Sequence, residues 1–205
     1  MTTKIILTRH GHVAWIAPER FRGRAELPLS PLGQRQAQLL AEHIASRWKP
    51  AAVYTSTLSR CVNTGAVVSA TTGAPASELP DLVDTDYGAW QGLTHEEVRS
   101  RWPEQFDAWF RTPSMAAIPG GETLAQVLAR SVSALQHILA AHENDTVVMV
   151  GHDSINRVIL MHALGLPLSR YWRIKQEPCC INELEFDAGE ATILRINETQ
   201  HLLGA

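Results

Sequence analysis

Two histidines stand directly behind short apolar runs. Residues 4–8 (KIILT) lead into Arg9-His10-Gly11, and residues 146–150 (TVVMV) lead into Gly151-His152. A third run, 51–55 (AAVYT), is followed five positions on by Arg60. In open α/β sheets ligands sit beyond the carboxyl ends of the strands, so these tails are expected to meet on one edge although the imidazoles are distant in sequence. A buried guanidinium needs an anion. Planar donor forks match a phosphoryl group and would stabilise the charge that develops on it during transfer. The alternative, that both histidines are hydrogen-bonded strand ends, leaves the arginines unexplained. No GxxxxGK[ST] loop, HExxH or paired-cysteine spacing occurs, so neither a P-loop nor a metal site is predicted, and no cofactor. Histidine as phosphate acceptor, with arginines in place of a metal, is the economical chemistry.

The chain that must position these groups has 205 residues, 45% hydrophobic and 19% charged. One core of that size is expected, a single domain over residues 1–205. The formal charge of -3 argues against nucleic acid or an anionic membrane as the main partner. Among 18 basic residues, 15 are Arg and 3 Lys, a split that suits phosphate or carboxylate binding and that a GC-rich genome would also produce. Cys61, Cys179 and Cys180 make no disulfide framework, which fits a reducing cytoplasm. No long apolar leader and no 18-residue apolar run is present, so a soluble cytoplasmic protein is expected, with a homodimer allowed.

The three apolar runs read as buried strands. Residues 12–29 show neither period and hold Pro18, Gly23 and Pro28, a loop long enough to be functional. Ser30-Pro31 reads as the start of a helix whose face is Leu32, Ala37, Leu40, Ala41, Ile44 and Trp48. A small-residue helix follows Arg60 to about Ala70, and residues 82–90 are irregular, acidic and aromatic. Thr94 and Glu97 form a capping box, and residues 101–110 carry Trp102, Phe106, Trp109 and Phe110 at helical spacing, as core packing or as a cleft wall. Helices over 122–141 and 154–164 follow, and 181–186 with 192–196, joined by DAGEA, read as a hairpin. The fold class is α/β: a three-layer α/β/α domain around a mixed, mostly parallel sheet.

Thr8-Arg9-His10-Gly11, with Arg20-Phe21-x-Gly23-Arg24-x-Glu26-x-Pro28-Leu29-Ser30 behind it, resembles the histidine phosphatase superfamily, the phosphoglycerate-mutase-like branch. The likeness continues through Tyr54-x-Ser56-x-Leu58-x-Arg60, Asp84-x-x-Tyr87-Gly88-x-Trp90, Pro119-Gly120-Gly121-Glu122 and Val148-x-Val150-Gly151-His152. It spans nearly the whole chain. The resemblance implies His10 as the nucleophile that becomes phosphohistidine, with Arg9, Arg60 and His152 cradling the phosphate. It places Asp84 at the family's proton donor, usually Glu, while composition alone leaves Asp86 as a rival.

Three departures bear on the site. Where the family has Thr or Ser and then Asn, this chain has Val13 and Ile16, for which Arg20, Arg22 or His12 can compensate. Asp153 follows His152 where Gly is usual, and either favours an imidazolium or caps the next helix. The donor is a methylene shorter. Arg22 and Arg24 are available to an acidic leaving group, with Arg20, Gly23 and Ser154 as further substrate contacts and Trp15, Phe21, Trp90, Trp102 and Trp109 as an apolar wall. Residues 94–118 are short, with only Arg99, Arg101 and Arg111 basic. The resemblance therefore implies a metal-independent phosphomonoesterase acting on a small phosphorylated metabolite; the alternatives are mutase-type phosphoryl transfer and a catalytically silent phosphate-binding module.

Overall fold

The computed structural model describes residues 2–15 and 19–203. Strands β1 (Thr2–Arg9), β2 (Ala52–Thr55), β3 (Ala76–Glu78), β4 (Thr146–Gly151), β5 (Ile181–Asp187) and β6 (Glu190–Glu198) form one sheet in the order β3-β2-β4-β1-β5-β6. The β3-β2, β2-β4 and β4-β1 pairs are parallel, whereas β1-β5 and β5-β6 are antiparallel. The helices are α1 (Pro31–Arg47), α2 (Ser59–Thr72), α3 (His95–Arg101), α4 (Pro103–Arg111), α5 (Leu124–Ala141) and α6 (Asp153–Ala163).

Strand side chains alternate between faces, so each central strand feeds two cores. Ile5, Leu7, Val147, Met149 and Leu184 pack with Val127, Leu135 and Ile138 of α5 and Ile155 and Ile159 of α6. Ile6, Val53, Val148, Val150 and Ile181 pack with Leu40 and Ile44 of α1 and Cys61 and Val68 of α2. The result is the three-layer α/β/α arrangement with a mixed, mostly parallel sheet that the sequence predicts.

The differences from the sequence reading have local causes. Strand β3 went unpredicted because its three residues are exposed on an edge and carry no burial pattern. The stretch 101–110 is broken at Trp102, which ends α3 and precedes Pro103 at the first position of α4. Helix α5 begins at Leu124 rather than at Glu122, behind a capping box in which Thr123 accepts from the Gln126 N–H and Gln126 accepts from that of Thr123. The DAGEA turn shrinks to Ala188-Gly189, both at positive φ (49° and 85°), as a two-residue hairpin turn requires. Ser30 caps α1 as expected, accepting from the Gly33 N–H.

Candidate active site

Parallel register brings the two histidines together. Arg9 of β1 stands opposite Gly151 of β4, so His10 and His152 are the next residues of neighbouring strands. Their ring centroids lie 5.2 Å apart. The His10 N–H donates to the Gly151 carbonyl at 3.0 Å, and the imidazole is almost wholly buried, at 1% exposure. Its Nδ1 lies 2.7 Å from the Gly11 carbonyl. A carbonyl only accepts, so Nδ1 carries the proton and Nε2 keeps its lone pair. Burial first, then the charges of Arg60, His152 and Arg9, hold the His10 pKa well below the ordinary histidine range. The ring is therefore a neutral base at physiological pH.

Arg60 enters from the first turn of α2, the helix that follows β2, and is fully buried. Its Nη1 donates to the Ala25 carbonyl at 2.8 Å; Nη2 donates to the Gly23 carbonyl at 2.7 Å and to Asp84 Oδ2 at 3.2 Å. Arg9 Nη1 donates to the Gln176 carbonyl at 2.7 Å. The Nε atoms of both arginines are buried with no partner, and an anion in the site would recover the cost of these unpaired donors.

Asp84 lies against this group at 8% exposure. Its Oδ1 accepts from Ser154 Oγ at 2.6 Å and from the Thr85 N–H at 2.9 Å, and its Oδ2 is 3.6 Å from His152 Nδ1. Asp86, the rival, is partly exposed, accepts from the Gly88 N–H and pairs with Arg24. It does not line the cleft; Asp84 does.

His152 is buried, its Nε2 2.8 Å from Ser56 Oγ. Burial, then Arg60 and Arg9, hold its pKa well below the ordinary value. Neither role envisaged for Asp153 is found. It is the first residue of α6, it accepts from Arg157 Nε at 2.9 Å, and the carboxylate beside His152 is that of Asp84.

A cleft of about 230 Å³ opens at Arg9 and Asp84, which line it, while His10, Arg60 and His152 are buried and not part of its lining. Of the residues expected to contact substrate, Arg22, Gly23 and Ser154 line it. Arg20 reaches its rim but is tied to the Gly92 carbonyl at 2.7 Å and to Glu97 at 3.5 Å. Arg24 turns outward to Asp86 and Glu122 and does not line the cleft. Val13 packs with Leu27, Leu29 and Ala37; of the residues expected to compensate for it, His12 is held against Ser30 Oγ at 2.8 Å and does not line the cleft, whereas Arg22 does. Ile16 lies outside the described residues. Of the aromatic residues, Phe21 and Trp109 line the wall, while Trp90 is fully buried behind Phe21.

Sequence reasoning missed Tyr87, Trp172 and Gln176, which also line the cleft. Tyr87 lies in the motif Asp84-x-x-Tyr87-Gly88-x-Trp90, three residues from the carboxyl, and that proximity is its signal in the sequence. Trp172, in a short 3-10 helix (Leu168–Arg173), and Gln176 fall between α6 and the hairpin, in a segment with no period to point to them.

A family model described as "Histidine phosphatase superfamily (branch 1)" matches residues 5–199. Phosphoserine phosphatase 1 of Hydrogenobacter thermophilus is 31% identical over 199 residues, covering 97% of this chain and 94% of that protein. A metal-independent phosphoserine phosphatase of Arabidopsis thaliana is 35% identical over 161 residues, covering 78% and 68%. Among solved structures, Bacillus stearothermophilus YhfR superposes with a TM-score of 0.93 at 28% identity, covering 98% of this chain and 99% of that one.

Proposed function

The chain belongs to the histidine phosphatase superfamily, and on that premise we propose that it hydrolyses a small phosphorylated metabolite without a metal, through a phosphohistidine at His10. One observation carries this reading: the Gly11 carbonyl holds the proton on Nδ1 and leaves Nε2 free amid Arg9, Arg60 and His152. In the first step Nε2 attacks phosphorus, the bond to the ester oxygen breaks, and the Asp84 carboxyl gives its proton to the departing alkoxide. In the second, the Asp84 carboxylate takes a proton from water, and the hydroxide displaces His10 to release inorganic phosphate. Arg9, Arg60 and His152 meet the equatorial oxygens.

Hydrolysis is favoured over transfer between phosphoglycerates because Arg99, Arg101 and Arg111 do not line the cleft; from that stretch only His95, Trp109 and Phe110 do. We place the protein in the cytoplasm, where its three free, buried cysteines stay reduced. Among the described residues no helix is long and apolar enough to cross a membrane.

The test separates Asp84 from Asp86 and traps the intermediate. Asp84→Asn lowers kcat/KM steeply for alkyl phosphates, whose alkoxides leave poorly, and much less for p-nitrophenyl phosphate; Asp86→Asn shows no such selectivity. The Asp84 variant also lacks its base, so phosphate accumulates on His10 during turnover of the aryl ester, detectable by peptide mass analysis after an alkaline quench. Equal losses on both esters, or an unmodified His10 in a variant that still releases nitrophenol rapidly, would overturn the scheme.

A further inference from the structure

The block Pro119-Gly120-Gly121-Glu122 has no part in the chemistry above. The structure gives it one. Asp84 stands in residues 83–87, which belong to no helix or strand, so their backbone groups find partners outside any ladder. One guanidinium supplies several of them. Arg130 of α5 donates through Nη1 to the carbonyls of Asp81 (2.9 Å) and Val83, and through Nη2 to that of Asp84 (3.2 Å). The same guanidinium grips Glu122 with Nε on Oε1 and Nη2 on Oε2, both at 2.9 Å. Glu122 Oε2 then accepts the Asp86 N–H at 2.9 Å, and the Glu122 N–H donates to the Asp86 carbonyl at 2.9 Å. Asp84 is therefore held on its N-terminal side by Arg130 and on its C-terminal side by Glu122, and neither residue lines the cleft.

Two glycines make this docking possible. A Cβ on Gly121 would meet the Asp86 carbonyl oxygen at 2.5 Å, and one on Gly88 (φ +43°) would meet that of Pro119 at 2.3 Å. Backbone lies against backbone here, at a distance that no side chain permits.

We propose that Arg130 and Glu122 are positioning residues for proton transfer, fixing the Asp84 carboxyl at the ester oxygen without contacting substrate. The inference rests on the reading of Asp84 as proton donor. A misplacement of about 1 Å in such a group costs up to about a hundredfold in rate. The loss falls on the step that needs the proton and spares esters whose leaving group does not.

The experiment measures kcat/KM for an alkyl phosphate and for p-nitrophenyl phosphate in Arg130→Met, Glu122→Gln, Asp84→Asn and the Asp84→Asn/Arg130→Met double variant. Arg130→Met is expected to lose at least about tenfold more on the alkyl ester than on the aryl ester. Glu122→Gln, which keeps the side-chain volume, should show the same preference more weakly, and it carries the test if Arg130→Met does not fold. In the double variant the change at Arg130 should add no further selective loss, because the carboxyl it positions is gone. Equal losses on both esters in both single variants, or an additive selective loss in the double variant, would overturn the positioning role while leaving Asp84 in place. If Asp84→Asn treats the two esters alike, the assignment of Asp84 fails and the proposal falls with it.

Discussion

Arg22 shows how a single side chain can set substrate choice. Its Nη1 donates to the Trp15 carbonyl at 3.0 Å, and like Arg9 it makes no ion pair with a carboxylate among the described residues, whereas three other cations of the cleft do: Arg157 with Asp153, Lys175 with Glu177 and Arg20 with Glu97. Burial first, and then the charge of Arg9, weaken the hold of Arg22 on its proton. An anion between the two arginines relieves both effects, and a carboxylate on the leaving alcohol fits the two-pronged donor. Arg22→Met is therefore expected to raise KM by roughly tenfold, about 1.4 kcal/mol, for phosphorylated hydroxy acids and to leave KM for neutral alkyl phosphates within about twofold. Steady-state kinetics on matched acid and amide substrates checks it; an equal rise for both would move Arg22 from the leaving group to the phosphate. The sequence could not distinguish Arg22 from Arg24. Both sit in an aperiodic loop, where two positions decide whether a guanidinium faces the cleft or, as with Arg24, the carboxylates of Asp86 and Glu122.

At the scale of elements, the first turn of α1 is pressed onto the backbone that follows His10. A Cβ on Gly33 would meet the His12 carbonyl oxygen at 2.1 Å, and one on Gly11 would meet that of Gly33 at 2.5 Å. The obstacle is backbone on both sides, so rotamer changes bring no relief. Gly33→Ala should cost about 1–3 kcal/mol of stability and, because it moves His10 itself, lower kcat/KM for alkyl and aryl esters by the same factor. A thermal melt and the two-ester assay read these effects together; an unchanged melting temperature would show that α1 is free to shift. The histidines and Arg60 were legible because each stands at a fixed offset from an apolar run, and sheet register converts that offset into position. Asp84 was not legible on those grounds, since nothing periodic surrounds it and the resemblance alone chose it over Asp86. The groups that fix its segment, Glu122 just ahead of α5 and Arg130 within it, lie far along the chain, and only the fold makes them neighbours.

Over the whole molecule the formal charge is -3, yet positive charge gathers where His10 and His152 are buried, and this concentration has two consequences. In the proposed mechanism Arg9 and Arg60 take the place of a metal's field, so hydrolysis should survive dialysis against EDTA, whereas activity lost and then restored by Mg2+ or Zn2+ would contradict the assignment. The second consequence concerns stability. The native state holds both histidines neutral because burial and the arginines keep their pKa values well below the ordinary range, while in the unfolded chain each takes a proton near pH 6.5. Below about pH 6.5 the unfolded state therefore binds more protons than the native state, and stability rises with pH and falls as pH is lowered. Both histidines contribute stability that is present above about pH 6.5 and is lost as pH falls toward their lowered native values. In phosphate-free buffer, His10→Gln should make the melting temperature fall less steeply below about pH 6.5 than in the wild type, and His10→Gln/His152→Gln less steeply still. A double variant whose melting temperature falls as steeply as the wild type would locate the acid sensitivity in other groups, among them His12, His43, His95 and His201, whose pKa values burial also lowers, and would mean that His10 and His152 are not held neutral by the field that serves the phosphate.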